Sequence, residues 1–282
     1  MTYFLIADSG STKTEWALIT KQNVLLRFET SGINPYFLNQ KQIEQLLQKE
    51  VLPYLQKYLN LIQAIYFYGA GCSNKENNLQ LKHAIKNILN IEEIHIWHDL
   101  LGAARATCKK EKGIVGILGT GSNACVYGGL SILKTAPSYG YLFGDYGSGA
   151  NIGKIFVQAY CDNTLPKELK IEFEKNGYSP EKILQGVYKN PMPSKFLASV
   201  FPFVIKHKHN ELIKNIIQNS LTKYFEIQVL PLIEEKYPMH LVGSVADILR
   251  EELMQTASHY HLEIQSIVKK PIEGLIEYHQ RY

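Results

Sequence analysis

Residues 3–7 are apolar without interruption, the pattern of a strand buried on both faces. Residues 16–20 repeat that pattern and residues 24–29 follow closely, which predicts an antiparallel meander. From Leu38 to Leu59 the spacing of Ile43, Leu46, Leu47 and Val51 predicts a helix that Pro53 bends or interrupts. A strand over 64–68 ends in Gly69-Ala70-Gly71. A helix over 79–89, a strand over 93–97 and a helix over 100–110 follow, with Asp99 placed as the N-cap of the last.

At Gly113 the pattern restarts as apolar strand, small-residue turn and apolar strand. Ser9-Gly10-Ser11-Thr12 and Thr120-Gly121-Ser122-Asn123 are similar turns about 110 residues apart, a spacing that suits a duplicated domain and not a solenoid. Helices are then predicted over 151–160, 166–175, 195–207 and 211–233. A strand over 239–242, a helix over 245–254, a strand over 262–268 and a short helix over 271–282 complete the chain, with Pro271 near the last helix's first turn. These elements divide into residues 1–116 and 117–267, followed by a C-terminal helix, 268–282, expected to pack back on the first part.

The length of 282 residues accommodates two such cores. A net charge of +4 without a strong basic block argues against a dedicated nucleic-acid binder. The densest basic stretch, Lys206-His207-Lys208-His209, reads as a solvated helix end or loop. Cys72, Cys108, Cys125 and Cys161 form no Cys-x-x-Cys pair, so neither a zinc ribbon nor a disulfide scaffold is suggested. Asp8 ends the first apolar run too early for a signal peptide, and no segment is long and apolar enough to span a membrane, so a cytoplasmic setting is expected.

Five stretches could carry chemistry. The first is "IADSGSTKTEW", residues 6–16. It lacks the order of a P-loop, because Lys13 follows Thr12 instead of a glycine and a strand comes next instead of a helix. It is either a Ser- and Gly-rich hairpin turn or a hairpin whose N–H groups and hydroxyls hold phosphate, with Asp8 beside a magnesium ion. The second, "GILGTGSNACVYGG", matches the Gly-x-Gly-x-x-Ala dinucleotide pattern but continues as a strand, which rejects that reading and leaves a second phosphate hairpin. In the third, "GYLFGDYGSGANIGK", a glycine-rich loop carries Asp145 into a helix. The fourth is Asp99 in "IWHDLLGAARA", either a helix cap or a carboxylate at a strand end, where catalysis concentrates in open α/β sheets. His95 and His98, three apart, do not converge on a metal and read as structural. The fifth, "HLVGSVADIL", places Gly243-Ser244 in a strand-to-helix turn.

Taken in order, the Asp-x-Gly-x-Thr-type turn, the strand-end Asp, Gly-Thr-Gly-Ser-Asn, Gly-Asp-x-Gly-Ser and the late Val-Gly-Ser resemble N-acetylglucosamine kinases. These stand with the BadF/BadG-type ATPases in the actin-like, sugar-kinase and heat-shock-ATPase superfamily. The resemblance implies an α/β fold of two actin-like, ribonuclease H-like domains, with duplicated mixed sheets, flanking helices and an interdomain cleft. It implies ATP and Mg2+ as cofactors, an amino sugar as substrate and a homodimer, with no nucleic-acid or membrane partner.

Carried over by position, Asp8 would hold magnesium through water. Gly10, Ser11, Thr12, Lys13, Gly119, Thr120 and Gly121 would contact the ATP phosphates, and Gly243 and Ser244 would border adenosine. Asn34, Ser122, Asn123, Tyr141 and Asp145 would bind the sugar together with Asp99, the acid–base residue for its 6-hydroxyl. Tyr139 and Tyr141 stand where the mammalian enzymes carry Trp and His. Glucosamine or (anhydro-)N-acetylmuramic acid could replace N-acetylglucosamine without altering the phosphate loops. An ATPase activator of a 2-hydroxyacyl-CoA dehydratase shares the fold and is the alternative, although the scattered cysteines offer it no plain iron–sulfur site.

Overall fold

The computed structural model describes residues 2–282. In chain order it contains β1 (Tyr3–Ser9), β2 (Lys13–Ile19), β3 (Val24–Ser31), α1 (Gln40–Leu46), α2 (Leu52–Leu55), β4 (Ile62–Gly69), α3 (Lys75–Leu89), β5 (Glu93–His98), α4 (Asp99–Cys108), β6 (Lys112–Leu118), β7 (Ser122–Gly128) and β8 (Ile132–Thr135). Then come α5 (Gly140–Phe143), α6 (Gly149–Cys161), α7 (Lys167–Lys175), α8 (Pro180–Leu184), α9 (Pro193–Ala198), α10 (Phe201–Lys206) and α11 (Glu211–Lys223). The chain closes with β9 (Met239–Val242), α12 (Ser244–Ile248), α13 (Arg250–His259), β10 (Ile264–Val268) and α14 (Ile272–Arg281).

The strands form two five-stranded sheets, ordered β3-β2-β1-β4-β5 and β8-β7-β6-β9-β10. Each strand number in the second order is its counterpart plus five, so the duplication suggested by the two turns extends to the whole sheet. In the first sheet β1 runs antiparallel to β2 and parallel to β4, and β4 runs parallel to β5. Both sheets are flanked by helices, the α/β architecture of actin-like ATPases.

The chain separates into two compact units, Met1–Val115 with Tyr127–Leu133 and Lys270–Tyr282, and Gly116–Val126 with Lys134–Lys269. In the first unit alternation along β1 builds a core on each sheet face. Leu5 and Ala7 join Trp16, Leu18, Ile43, Leu81 and Ile85 on one side. Ile6 joins Ala17, Ile19, Tyr68, Ala106, Leu275 and Ile276 on the other, so α14 packs against α4 and the sheet.

Several helices differ from the periodicity reading, and proline explains most of the differences. Three π-helical turns, Leu47–Val51, Gln185–Lys189 and Tyr224–Val229, each end two residues before a proline, namely Pro53, Pro191 and Pro231. A proline ring collides with the carbonyl four residues back and cannot donate to it, and a widened turn removes that conflict. The helices expected over 38–59 and 211–233 are therefore composite. The helix expected over 195–207 is two, because Pro202 opens α10. That over 245–254 breaks at Leu249, which ends α12 and precedes α13. Asp99 is the first residue of α4 and not its cap: His98 takes the cap, its Nδ1 accepting the Leu100 N–H at 3.2 Å.

Candidate functional site

The first group of candidate residues lies in the first unit, at the carboxyl ends of β1 and β5. The turn after β1 is a tight hairpin closed by the Gly10 N–H donating to the Lys13 carbonyl at 3.0 Å. Among the described residues no position from Ser9 to Lys13 has positive φ, so the two serines sit there without strain.

Ser9 and Thr14 share a buried hydroxyl pair at 2.7 Å, and the Ser9 hydroxyl accepts the Ile33 N–H at 3.1 Å. The turn is backed by Gly32. A Cβ there would come within 2.5 Å of the Gly10 carbonyl oxygen and 2.8 Å of the Lys13 nitrogen, so only glycine allows the backbones this close. Lys13 is exposed and its Nζ donates to Glu29 at 2.9 Å.

Asn34 ties the sugar candidate to this turn. Its Nδ2 donates to the Ser11 hydroxyl at 3.1 Å and its Oδ1 accepts the Tyr36 N–H at 3.0 Å. The amide is buried, yet each end retains one further hydrogen-bonding position. Gly71 (φ +82°) closes over it: a Cβ would meet Asn34 Oδ1 at 2.2 Å.

Asp8 and Asp99 are brought to one end of the sheet by strand register. Asp8 pairs with Tyr68 on β4, Tyr68 pairs with Trp97 on β5, and Asp99 follows two residues later. Burial pushes the Asp8 carboxyl up to about 8, the negative charges of Asp99 and Glu15 push the same way, and Lys270 opposes them. Oδ1 of Asp99 is buried and no donor is aligned on it. His98 Nδ1 lies 2.8 Å from it. Burial, the largest single influence, disfavours a proton on His98, but the charge of Asp99 and a hydrogen bond to it together raise its pKa.

A hydrated divalent cation fits beside these carboxylates, since it relieves the burial and repulsion that hold a proton on Asp8. Among the described residues no three His, Cys, Asp or Glu side chains converge on one point. Magnesium is commonly held by one or two carboxylates, water and phosphate oxygens.

The second group lies in the second unit. The turn between β6 and β7 is closed by the Gly119 N–H donating to the Gly121 carbonyl at 2.9 Å. The first amides of α6 anchor it: Gly149 donates to the Gly119 carbonyl at 2.9 Å and Ala150 to that of Thr120 at 3.1 Å. A Cβ on Gly119 would meet open space, whereas one on Gly121 would lie 3.1 Å from the Asp145 carboxylate. Asp145 is buried at φ +51° and its Oδ1 accepts the Ser122 N–H at 3.3 Å.

Ser122 is buried and its hydroxyl faces inward, within reach of the Tyr146 carbonyl (2.7 Å) and Gln228 Oε1 (2.8 Å). The Asn123 side chain accepts the Ala124 N–H at 2.8 Å. Tyr141, in α5, offers its carbonyl to Lys154 Nζ at 2.8 Å. Gly243 has φ +124°, and a Cβ there would strike the Leu118 carbonyl at 2.2 Å, while Ser244, which opens α12, is exposed.

Three contributors escape the sequence reading. His98 looked structural because its strand position hides its contact with the next residue. Gly32 and Lys270 act on a turn about 20 and 260 residues away in sequence, and only the Ser-Gly-Ile-Asn-Pro run around Gly32 carried any local signal.

No family model matches the chain. A curated N-acetylmuramic acid/N-acetylglucosamine kinase of Clostridium acetobutylicum is 24% identical over 275 residues, which is 95% of this chain and 80% of that protein. A solved Porphyromonas gingivalis structure, provisionally named an N-acetylglucosamine kinase, superposes with a TM-score of 0.93 and 38% identity over 99% of both chains. A Streptomyces griseus glucokinase of the ROK family, solved with glucose and AMPPNP, shares the fold with a TM-score of 0.60 and 11% identity, over 98% of this chain and 97% of its own. With two duplicated sheets, hairpin turns after the first strand of each and near-complete overlap with that 38%-identical structure, the chain belongs to the N-acetylglucosamine kinase family of sugar kinases and has the actin-like ATPase fold.

Proposed function

We propose that the protein transfers the γ-phosphoryl group of ATP to the 6-hydroxyl of an amino sugar, N-acetylglucosamine foremost. The observation that carries this reading is Asp99: a partly exposed carboxylate at a strand end, on the same sheet end as Asp8 and the β1–β2 turn.

Asp99 accepts a hydrogen bond from the sugar's 6-hydroxyl and fixes the attacking oxygen in line with the phosphoryl group. As the O6–P bond forms and the bond from phosphorus to the ADP oxygen breaks, the hydroxyl proton passes to Asp99. An aspartate is a weak base, but phosphoryl transfer demands alignment and charge neutralisation more than early deprotonation.

The backbone of Gly10 and the hydroxyls of Ser11 and Thr12 receive phosphate oxygens, and Asp8 holds magnesium through water. Magnesium, when bound, neutralises charge on the transferred group. Asn34 positions the sugar against the turn it braces. In the other unit, Gly119, Thr120 and Gly121 supply the second phosphate loop and Gly243 with Ser244 the adenosine border. Asn123, Tyr141 and Asp145 contact the sugar, and Ser122 orders Asp145 through its N–H.

N-acetylmuramic acid is a second acceptor, favoured by the name of the Clostridium acetobutylicum relative. The test is ADP release from Mg-ATP with N-acetylglucosamine, glucosamine, N-acetylmuramic acid, N-acetylmannosamine, glucose or no sugar. Stimulation by N-acetylglucosamine above the others is the expected result. Equal slow release in every tube overturns the kinase reading.

A further inference from the structure

The first unit contains a cavity of about 320 Å³ lined by none of the residues assigned above to ATP or sugar. Its walls come from β1, β4, β5, α4 and α14, and they include Lys21, Arg105 and Lys110 but no Asp or Glu side chain. Among the described residues none of these three cations forms a salt bridge. Their neighbours do: Lys109 holds Glu277 at 2.8 Å, and Arg281 reaches the same carboxylate at 3.5 Å.

Arg105 is set in place with most of its donors unspent. Its Nη1 donates to the Tyr68 hydroxyl at 2.9 Å, and its guanidinium lies 4.3 Å from the Trp97 ring centre and 5.3 Å from that of Tyr278. Its Nε is buried with no hydrogen-bond partner. A guanidinium has five N–H donors, so its terminal nitrogens retain N–H groups beyond the one given to Tyr68. Lys21 donates to the His279 carbonyl at 3.2 Å and retains two N–H groups, while Lys110 sits 4.1 Å over the Tyr282 ring.

His279 adds no charge: burial first, then the positive charges of Arg105 and Lys21, push its pKa down to about 3. The volume stands at the small end of metabolite sites, roughly 300–1,000 Å³. A fork of guanidinium donors flanked by two ammonium groups matches a doubly charged phosphate oxygen set better than a single carboxylate.

We propose that this cavity binds a small phosphomonoester of sugar size, its phosphate held by Arg105, Lys21 and Lys110 and its body lying on the Trp97 and Tyr278 rings. The assignment is independent of the acceptor sugar proposed above.

Trp97 provides the readout, because the chain has two tryptophans and the other, Trp16, is sealed in the core. Full-length protein is titrated with glucose 6-phosphate, and in parallel with inorganic phosphate and with sodium chloride at matched ionic strength. A saturable fluorescence change with glucose 6-phosphate, half-complete at or below about 1 mM, is expected. The exposed double variant Lys21→Gln/Lys110→Gln should weaken it at least tenfold while leaving the circular dichroism spectrum and melting temperature unchanged. Arg105→Gln should remove it. No saturable change, an equal response to sodium chloride, a response to inorganic phosphate alone, or undiminished affinity in the double lysine variant would each overturn the proposal.

Discussion

Nδ1 of His98 lies 2.8 Å from Oδ1 of Asp99: protonated, it donates to that carboxylate, and deprotonated, it accepts the Leu100 N–H as the cap of α4. The raised pKa of His98 means that the folded protein keeps its proton to higher pH than the unfolded chain does. The stabilisation is therefore complete below the ordinary value of 6.5 and is lost as pH rises through the folded value. The melting temperature of wild type relative to His98→Gln should fall across that interval. The imidazolium also competes with the sugar hydroxyl for Asp99, so wild-type kcat should rise over the same interval and the profile of His98→Gln should be flatter. Parallel profiles would remove His98 from any positioning role.

Asp99→Asn should lower sugar-dependent ADP formation by about a thousandfold or more while leaving ATP affinity within a few-fold of wild type. Single-turnover assays with ATP binding followed separately distinguish this from a folding defect. Full activity in the variant would reject Asp99 as the acid–base group.

Asp8 gives a pH dependence of the opposite origin. Its carboxyl binds a proton more tightly folded, at about 8, than unfolded, near 3.8. Without cation, this group's contribution to stability declines between those limits and is flat above them. Asp8→Asn should remove the slope and raise stability above pH 8 by roughly 1–3 kcal/mol. Protection by Mg-ATP in thermal unfolding should strengthen with pH in wild type, because the cation and the proton compete for one carboxylate, and should not in the variant.

Gly32→Ala tests the backing of the β1–β2 turn and its proposed phosphate role. The new methyl would overlap the Gly10 carbonyl and displace backbone, at a cost of about 1–3 kcal/mol. The KM for ATP should rise more than that for sugar, as measured in the coupled ADP assay.

Asn34→Ala should raise both KM values, because the lost amide is the proposed sugar contact and also braces Ser11. A change confined to the sugar KM would show that the Ser11 contact is dispensable.

Much of this architecture is written in local pattern. The unbroken apolar run of β1 announced a strand with a core on each face, and the strand over 239–242 was located to the residue. What local pattern could not convey was where helices change pitch, since a π turn answers a proline two residues beyond its end. Nor could it show that β2 begins at Lys13, inside the polar run, because cross-strand pairing carries the extended conformation through polar residues. The candidate carboxylates and glycines were visible as residue types. Their working context, such as the Asp8–Tyr68–Trp97 register or Gly32 behind the turn, depends on contacts across tens of residues.

The spacing between Asp8 and Asp99 is set by backbone alone: β4 lies between their strands, and each interstrand step is about 4.8 Å. No side chain need be preserved to keep that distance. The residues assigned to the sugar's other groups are spread over several elements, Asn34 and Asp145 on loops, Asn123 in β7 and Tyr141 in α5. Asp8 and Asp99 lie in the first unit and Asn123, Tyr141 and Asp145 in the second, so substitutions at the latter three leave the spacing of the two carboxylates untouched.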